Sequence, residues 1–172
     1  LGYEKYAEFI PQLKHFGKPV IASISGLSLQ DNLKILETFN HTEADLIELN
    51  LSCPNIVGKP QVGYDMDQSD EVLRTVLAAT HHPLGVKLPP YFDMVHFDAM
   101  ADVLRKHKVA FLSCINSVGN TLVIDPEKEQ VVIKPKSGFG GIGGDYLKPT
   151  ALANARRFYE LLDRKVDIIG VG

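Results

Sequence analysis

The chain has 172 residues, of which 45% are hydrophobic and 23% charged, and this balance is typical of one globular domain with a substantial core. The formal net charge of −3 argues against nucleic-acid or anionic-membrane partners, because such partners select for basic surfaces. No apolar run reaches the ~18 residues that a membrane-spanning helix needs, and no signal peptide opens the chain, so we expect a soluble cytoplasmic protein.

The first half of the chain alternates predicted helices with predicted strands. Residues 3–16 predict a helix and residues 19–26 a strand, after which Ser28 can cap a helix that runs to about residue 40. Residues 45–52 predict the second strand. A long loop then leads to a helix predicted over about residues 69–80.

The second half continues this alternation and then interrupts it. Residues 84–90 predict a strand that ends in two prolines, residues 94–107 a helix, and residues 109–117 another strand. The segment NTLVIDPEKEQVVIKP predicts a β-hairpin inserted after that strand, because two β-rich arms flank the polar turn at residues 125–129. A glycine-rich segment, a helix over about residues 149–162 and a strand over residues 166–172 complete the chain.

Strands that alternate with helices predict parallel βαβ units, and therefore an α/β fold whose central strands are buried on both faces. Five such strands are too few for a closed (β/α)₈ barrel, which has eight strands in ~250 residues. The chain also starts without methionine inside a predicted helix and stops directly after a predicted strand. We therefore expect residues 1–172 to be a single domain truncated at both ends.

Polar residues and glycines mark the carboxyl ends of the predicted strands. The loops at these ends share one face of a parallel sheet, and such folds place their chemistry there. Buried polar groups also need partners, so each needs a reason to be present. They are Asn50 and Cys53 after the second strand, Lys87 in the third, Asn116 and Ser117 after the fourth, and Gly170 and Gly172 after the fifth.

The cysteines and Lys87 allow more than one interpretation. Cys53 is either a small buried hydrophobic residue or a functional thiol, whereas Cys114, inside an apolar run, is expected to face the packed side of its strand. A disulfide between them is not expected in a reducing compartment. Lys87 either extends outward at a sheet edge or directs its charge into a polar pocket, and its apolar neighbours favour the pocket.

The glycine-rich segment 137–144 carries an incomplete dinucleotide-binding signal. Gly138, Gly140 and Gly143 fit GxGxxG, but Pro149 intervenes before the next helix, and no acidic residue follows at the required spacing. The segment is either a phosphate-binding loop or a flexible one. The six histidines are expected to be solvated, and without ligand spacing or GxSxG neither a metal site nor serine hydrolysis is predicted.

Several motifs in a fixed order resemble one enzyme family. They are ELNLSCPN, GKPQVGYD, GVKLPPYFD, INSVGN, VIKPKSGFGGIGG and PTALAN. Together they resemble the dihydroorotate dehydrogenases, specifically the soluble class 1A branch that uses fumarate. The resemblance implies a (β/α)₈ TIM barrel, incomplete here with about five of eight βα units, that carries FMN. It also implies a homodimer that oxidises dihydroorotate to orotate in pyrimidine biosynthesis.

The resemblance also implies roles for individual residues. Cys53 matches the catalytic base, and a thiol with a reference pKa of ~8.5 suits that task. The ammonium of Lys87 would stabilise the anionic reduced flavin. Each asparagine side chain offers an uncharged hydrogen-bond donor and acceptor, which suits the alternating N–H and C=O groups of the substrate's pyrimidine ring. The implied substrate-binding residues are Asn50, Asn55, Asn116 and Ser117, and the implied cofactor-binding residues are Asn50, Lys87, Ile115, Gly143, Gly144 and Gly172.

Three alternatives stay open at this stage. A lysine and an asparagine-containing loop of the family would precede Leu1, so the chain alone could be a cofactor-free, inactive or self-associating fragment. An NAD-linked class 1B enzyme is a second alternative, although the GKPQVGYD loop resembles the fumarate branch. A thiol-nucleophile enzyme would need a histidine near Cys53, and none lies at a predicted strand end. The cysteine itself argues against quinone-linked relatives, which carry serine there.

Overall fold

A computed structural model describes residues 2–52 and 60–172. Within this part of the chain, no helix combines the length and the apolar composition needed to cross a membrane. The helices are α1 Tyr3–Ala7, α2 Ile10–Lys14, α3 Leu29–Asn40, α4 Met66–Ala79, α5 Met94–Arg105 and α6 Lys148–Leu161, with short 3₁₀ turns at Val62–Tyr64, Pro135–Gly138 and Asp145–Leu147. The strands are β1 Ile21–Ile24, β2 Leu46–Asn50, β3 Leu84–Lys87, β4 Phe111–Cys114, β5 Val118–Leu122, β6 Ile124–Asp125, β7 Gln130–Val131, β8 Phe139–Ile142 and β9 Asp167–Gly170.

Five parallel strands form the main sheet, in the order β1-β2-β3-β4-β9. Each strand pairs with the next parallel strand along the chain, and helices α3 to α6 pack against one another in the same sequence. This sequential order is that of a (β/α) barrel, whereas a doubly wound sheet reverses its strand order at a switch point. The predicted fold class, an incomplete barrel with about five βα units, is confirmed.

The helix-covered face of the sheet holds the hydrophobic core. Ile24, Leu49, Val86 and Leu112 are all at most 1% exposed. On the opposite face, β1 and β2 alternate buried residues with exposed or half-buried ones, so the prediction of burial on both faces is wrong for these two strands. It holds for β4 and for most of β3. This second face is where a barrel keeps its interior side chains.

The helix boundaries follow local capping chemistry. Ser28 caps α3 as predicted, with its Oγ accepting a hydrogen bond from Asp31 N at 3.1 Å. Helix α4 begins at Met66, three residues earlier than predicted, because the Asp65 carboxylate accepts from Gln68 N at 2.9 Å. The single helix predicted over residues 3–16 is wrong: α1 and α2 are separate helices. Pro11 explains the break, since a proline ring clashes with the carbonyl four residues earlier in a continuous helix.

The insertion after β4 is an antiparallel ribbon made of two strand pairs, β5–β8 and β6–β7. Its tip is the predicted hairpin, with Ile124 paired to Val131 across the turn. Its base pairs β5 with β8, a pairing that the sequence pattern did not predict. Because Gly138 and Gly140 lie in this ribbon rather than between a strand and a helix, the GxGxxG match does not form a dinucleotide-binding turn.

The loop that follows β3 is held from two sides by buried polar contacts. Asn154, on α6 and 1% exposed, accepts a hydrogen bond from Tyr91 N at 2.9 Å and donates to Tyr91 O at 3.0 Å. The Tyr91 hydroxyl donates to Gly63 O, and the Tyr64 hydroxyl donates to Pro90 O at 2.8 Å. Burial raises the pKa of the Tyr91 phenol, which therefore stays a donor. These bonds join the loop after β3 to α6 and to the segment before α4.

We expect Asn154→Ala to destabilise the protein by about 2–4 kcal/mol, because it leaves the buried N–H and C=O of Tyr91 without partners. Urea unfolding followed by circular dichroism measures this loss. Glu160→Gln, on an exposed turn of the same helix, is the matched control and should change stability by less than about 0.5 kcal/mol. Equal effects of the two substitutions would contradict the inferred role of Asn154.

The Asp45 carboxylate links helix α2 to the first two strands of the sheet. Its carboxylate accepts two hydrogen bonds from Lys14 Nζ, at 2.6 and 2.8 Å, and one from Val20 N at 2.7 Å. The bonds from Lys14, followed by the bond from Val20, hold the pKa of the Asp45 carboxyl below its usual value. The carboxylate thus connects the end of α2 to the residues that enter β1 and β2.

We expect Asp45→Asn to lower the Tm by a few degrees at neutral pH. Because the folded-state pKa is lowered, this stabilisation is fully present above the unfolded pKa of ~3.9 and disappears as the pH falls through the folded value. Thermal melts of both proteins from pH 7 to pH 2 should therefore converge at the acid end. Glu43→Gln changes a neighbouring exposed carboxyl and is the matched control. Its Tm should equal that of the parent protein at every pH.

Candidate functional site

The carboxyl ends of β2, β3, β4 and β9 form one continuous rim. Asn50 and Lys87 are direct partners in the β2–β3 register. Beyond the end of β4, Ile115 N donates to Val171 O at 2.9 Å, which places residues 116 and 172 on neighbouring strand ends. The predicted site residues Asn50, Lys87, Asn116 and Gly172 therefore follow one another along this rim.

Two asparagines on the rim share a hydrogen-bond network. Asn116 Nδ2 donates to Ser52 O at 2.6 Å and lies 3.4 Å from Asn50 Oδ1. Asn50 Oδ1 also accepts from Ser52 N at 2.9 Å, and Asn50 Nδ2 lies 3.4 Å from Ser25 Oγ. The Asn116 amide oxygen accepts from Ser117 N at 2.9 Å. The network fixes both amides next to the residue that precedes Cys53.

Lys87 lies on β3, in the interior of the sheet between β2 and β4. The alternative of a lysine at a sheet edge is therefore wrong. Its side chain is half-buried, and among residues 2–52 and 60–172 it has no ion-pair or hydrogen-bond partner. A half-buried ammonium with no partner in the described part of the chain is suited to an anionic or electron-rich ligand.

Glu48 is a further charged residue on this face, and the sequence analysis missed it. One carboxylate oxygen accepts from Ser23 Oγ on β1 at 2.7 Å, and the other accepts from Ser113 Oγ on β4. Glu48 therefore links β1, β2 and β4, and its bond to Ser113 crosses β3, where Lys87 is the register partner of Ser113. The sequence signal that could have identified Glu48 was its position two residues before Asn50, because residues i and i+2 of a strand share a face.

Three glycines lie where a phosphate could approach the backbone. A Cβ at Gly143 or Gly144 would meet no atom within 4 Å, and Gly144 has φ +89°. Gly144 lies four residues before α6, and its carbonyl accepts from Leu147 N at 2.9 Å. At Gly172, a Cβ would lie 2.9 Å from Ala151 Cβ, in the first turn of α6. Gly143 and Gly144 thus leave open space just before the amino terminus of α6, and a helix amino terminus is a usual environment of a bound phosphate.

Some predicted site residues lie elsewhere. Cys53 and Asn55 lie outside the described residues. The Ile115 side chain is 2% exposed and belongs to the hydrophobic core, so a ligand on the rim would meet its backbone. Cys114 faces the packed side as predicted, is fully buried, and has a thiol pKa raised by burial to about 12. A thiol with that pKa is not a base at neutral pH.

The histidines are not all solvated. The side chain of His107 is only 10% exposed, and its Nε2 lies 2.6 Å from Asp70 Oδ1, so the prediction is wrong for this residue. That contact is the main cause that lowers the pKa of the Asp70 carboxyl. In residues 2–52 and 60–172, no group of three or more potential ligand side chains could hold a metal ion.

Comparison with known sequences gives the family. The sequence model described as dihydroorotate dehydrogenase matches residues 2–172. The chain belongs to the dihydroorotate dehydrogenase family. It is 56% identical over 155 residues to a dihydroorotate dehydrogenase (fumarate) of Kluyveromyces lactis, covering 90% of this chain and 49% of that protein.

Two further comparisons agree with this family. The chain is 47% identical, over an alignment of 176 positions, to dihydroorotate dehydrogenase A (fumarate) of Lactococcus lactis subsp. cremoris, covering 100% of this chain and 57% of that protein. The chain thus spans about half the length of these relatives. A crystal structure of ligand-free DHODH from Eimeria tenella superposes with a TM-score of 0.64 at 20% identity, covering 86% of this chain and 45% of that one. This likeness supports the fold.

We expect Cys114 to resist alkylation in the native protein, because its thiol is buried and its pKa is raised to about 12. Iodoacetamide labelling at pH 7.5 followed by peptide mass spectrometry should leave Cys114 unmodified. The same labelling in denaturing urea should modify it fully and so controls for detection of the peptide. Rapid native labelling of Cys114 would contradict its placement in the core.

Proposed function

We propose that the protein is an FMN-dependent dihydroorotate dehydrogenase that oxidises dihydroorotate to orotate, with fumarate as electron acceptor, in pyrimidine biosynthesis. The observation that carries this proposal is the convergence of two amides and an ammonium, Asn50, Asn116 and Lys87, on one rim. The names of the relatives that match the chain support the reaction and the acceptor.

The residues of the rim fit FMN. The ammonium of Lys87 would lie beside the electron-rich edge of the flavin ring, where negative charge increases on reduction. The open backbone at Gly143 and Gly144, together with Gly172, which packs closely against the first turn of α6, would hold the phosphate. Bound FMN supplies the two-electron acceptor that amino-acid side chains lack.

The polar side chains of the rim fit dihydroorotate. Asn50 and Asn116 each offer a donor and an acceptor, which match the N–H and C=O groups of the pyrimidine ring. Ser117 follows Asn116 directly and, with Asn55, would complete the contacts to ring and carboxylate. In the proposed reaction the Cys53 thiolate takes the proton from C5, while the hydrogen at C6 leaves with two electrons. A C5–C6 double bond forms, and orotate is the product.

The inserted ribbon supports assembly as a homodimer. Exposed apolar side chains cover it, including Leu122, Val123, Ile124, Val132 and Phe139, with exposures of 43–59%. Exposed apolar side chains that cluster on one element are typical of a protein–protein contact. A second copy of the chain is the partner that the proposed enzyme implies.

We expect Cys53→Ala to lower kcat for dihydroorotate oxidation at least ~100-fold, because general-base catalysis contributes at least that factor. The flavin absorption band should be retained, since Cys53 acts on the substrate. Steady-state assays with fumarate, together with a visible spectrum, measure both quantities. Cys114→Ala removes the other thiol and is the matched control with activity close to that of the parent protein. Unchanged kcat in Cys53→Ala, or a colourless parent protein that does not bind added FMN, would refute the proposal.

A further inference from the structure

Glu48 is a charged residue on the barrel-interior face that the proposed reaction does not use. It is half-buried in the middle of β2, and both of its carboxylate oxygens are held by hydroxyl groups of other strands, Ser23 on β1 and Ser113 on β4. No cation lies within ion-pair distance of it among the residues the structure describes. A half-buried carboxylate that two hydroxyl groups orient, with no counter-charge in contact among the described residues, requires an electrostatic explanation.

Lys87 is a cation on the same face, and it has no ion-pair or hydrogen-bond partner among residues 2–52 and 60–172. Glu48 is the register partner of Gly85 and Asn50 is the partner of Lys87, so Glu48 and Lys87 are diagonal neighbours on adjacent strands. Ser113 connects them, since it pairs with Lys87 in the β3–β4 register and donates its hydroxyl to Glu48. The Glu48 carboxylate therefore lies one level, two residues along the strands, below the Lys87 ammonium. The two groups do not form a salt bridge.

An aromatic ring lies at the same level of the sheet as the Glu48 carboxylate. A Cβ at Gly85 would lie 2.2 Å from the ring of Phe111, so this ring occupies the space directly beside Glu48's register partner. Phe111 is 3% exposed, and it lies outside the main core cluster on the helix side. The level of the sheet just below the rim therefore holds the Phe111 ring as well as the Glu48 carboxylate and its two serine partners.

We propose that Glu48 is a positioning residue that compensates the charge of Lys87 and thereby sets how strongly this lysine favours the reduced form of bound flavin. The inference rests on the proposed function only in its flavin readout. With the carboxylate present, the field of the ammonium at the rim is reduced. Without the carboxylate, the full field of Lys87 would act on the negative charge that flavin gains on reduction.

Glu48→Gln tests the proposal, because it removes the charge and keeps the shape and one acceptor oxygen. The first measurement needs no cofactor: timed acetylation with acetic anhydride, analysed by peptide mass spectrometry, reports the reactivity of Lys87 relative to exposed Lys108. Only the deprotonated amine reacts, so we expect the relative rate at Lys87 to rise at least threefold in Glu48→Gln. Ser113→Ala keeps the charge but loses one donor, and we expect a smaller increase.

The second measurement is the midpoint potential of bound FMN. We expect Glu48→Gln to raise the affinity for reduced over oxidised flavin about tenfold, which for a two-electron couple is about +30 mV. Glu43→Gln, an exposed carboxyl that precedes the same strand, is the matched control and should change neither readout. A purely structural role for Glu48 would loosen both flavin states alike and leave the potential unchanged.

The two readouts separate this proposal from the proposed function. Protein that binds no FMN contradicts the proposed function, while the acetylation ratio still decides the role of Glu48. An unchanged acetylation ratio in Glu48→Gln overturns the role of Glu48, whatever the flavin does. If Glu48→Gln does not fold, Ser113→Ala decides the role by the same ratio.

Discussion

The parallel register of the main sheet is the constraint on which the candidate site depends. Because Asn50 is paired with Lys87, and Lys87 with Ser113, side chains from distant parts of the sequence lie on one face and at one level. A shift of one residue in any of these pairings would turn the polar side chains of that strand toward the hydrophobic core. The buried residues that alternate with them, such as Leu49 and Val86, make such a shift costly.

The rim is supported from outside by a small number of buried contacts. Asn154 satisfies the backbone of Tyr91, and the Tyr91 ring packs edge-on against Phe158 at a centroid distance of 5.6 Å. These contacts fix the loop after β3 against α6, the helix whose first turn meets Gly172. The substrate-side and phosphate-side parts of the proposed site are therefore connected by packing as well as by the sheet.

Charge is distributed unequally between the two faces of the sheet. The helix side is apolar, and its buried thiol, Cys114, has no accessible chemistry. The interior side holds Lys87 and Glu48, which lie two residues apart along the strands. Ser113 connects them, because it is the register partner of Lys87 and donates a hydrogen bond to Glu48. Opposite charges that are near one another without contact keep an electric field at the rim. A direct salt bridge would cancel most of that field.

The sequence by itself determined the α/β class, the five parallel strands, most helices and the polar strand ends, because hydrophobic period and capping residues are local signals. It also indicated the hairpin tip, whose turn residues are contiguous. It missed the β5–β8 pairing, the break between α1 and α2, and the partly buried His107. It also missed the role of Glu48, which looks like an ordinary polar residue in an alternating strand.

Only the tertiary structure decided that Lys87 lies inside the sheet and that Glu48 is bound by Ser23 and Ser113. Those contacts depend on strand order and register, which join residues up to 65 positions apart and leave no local trace in the chain.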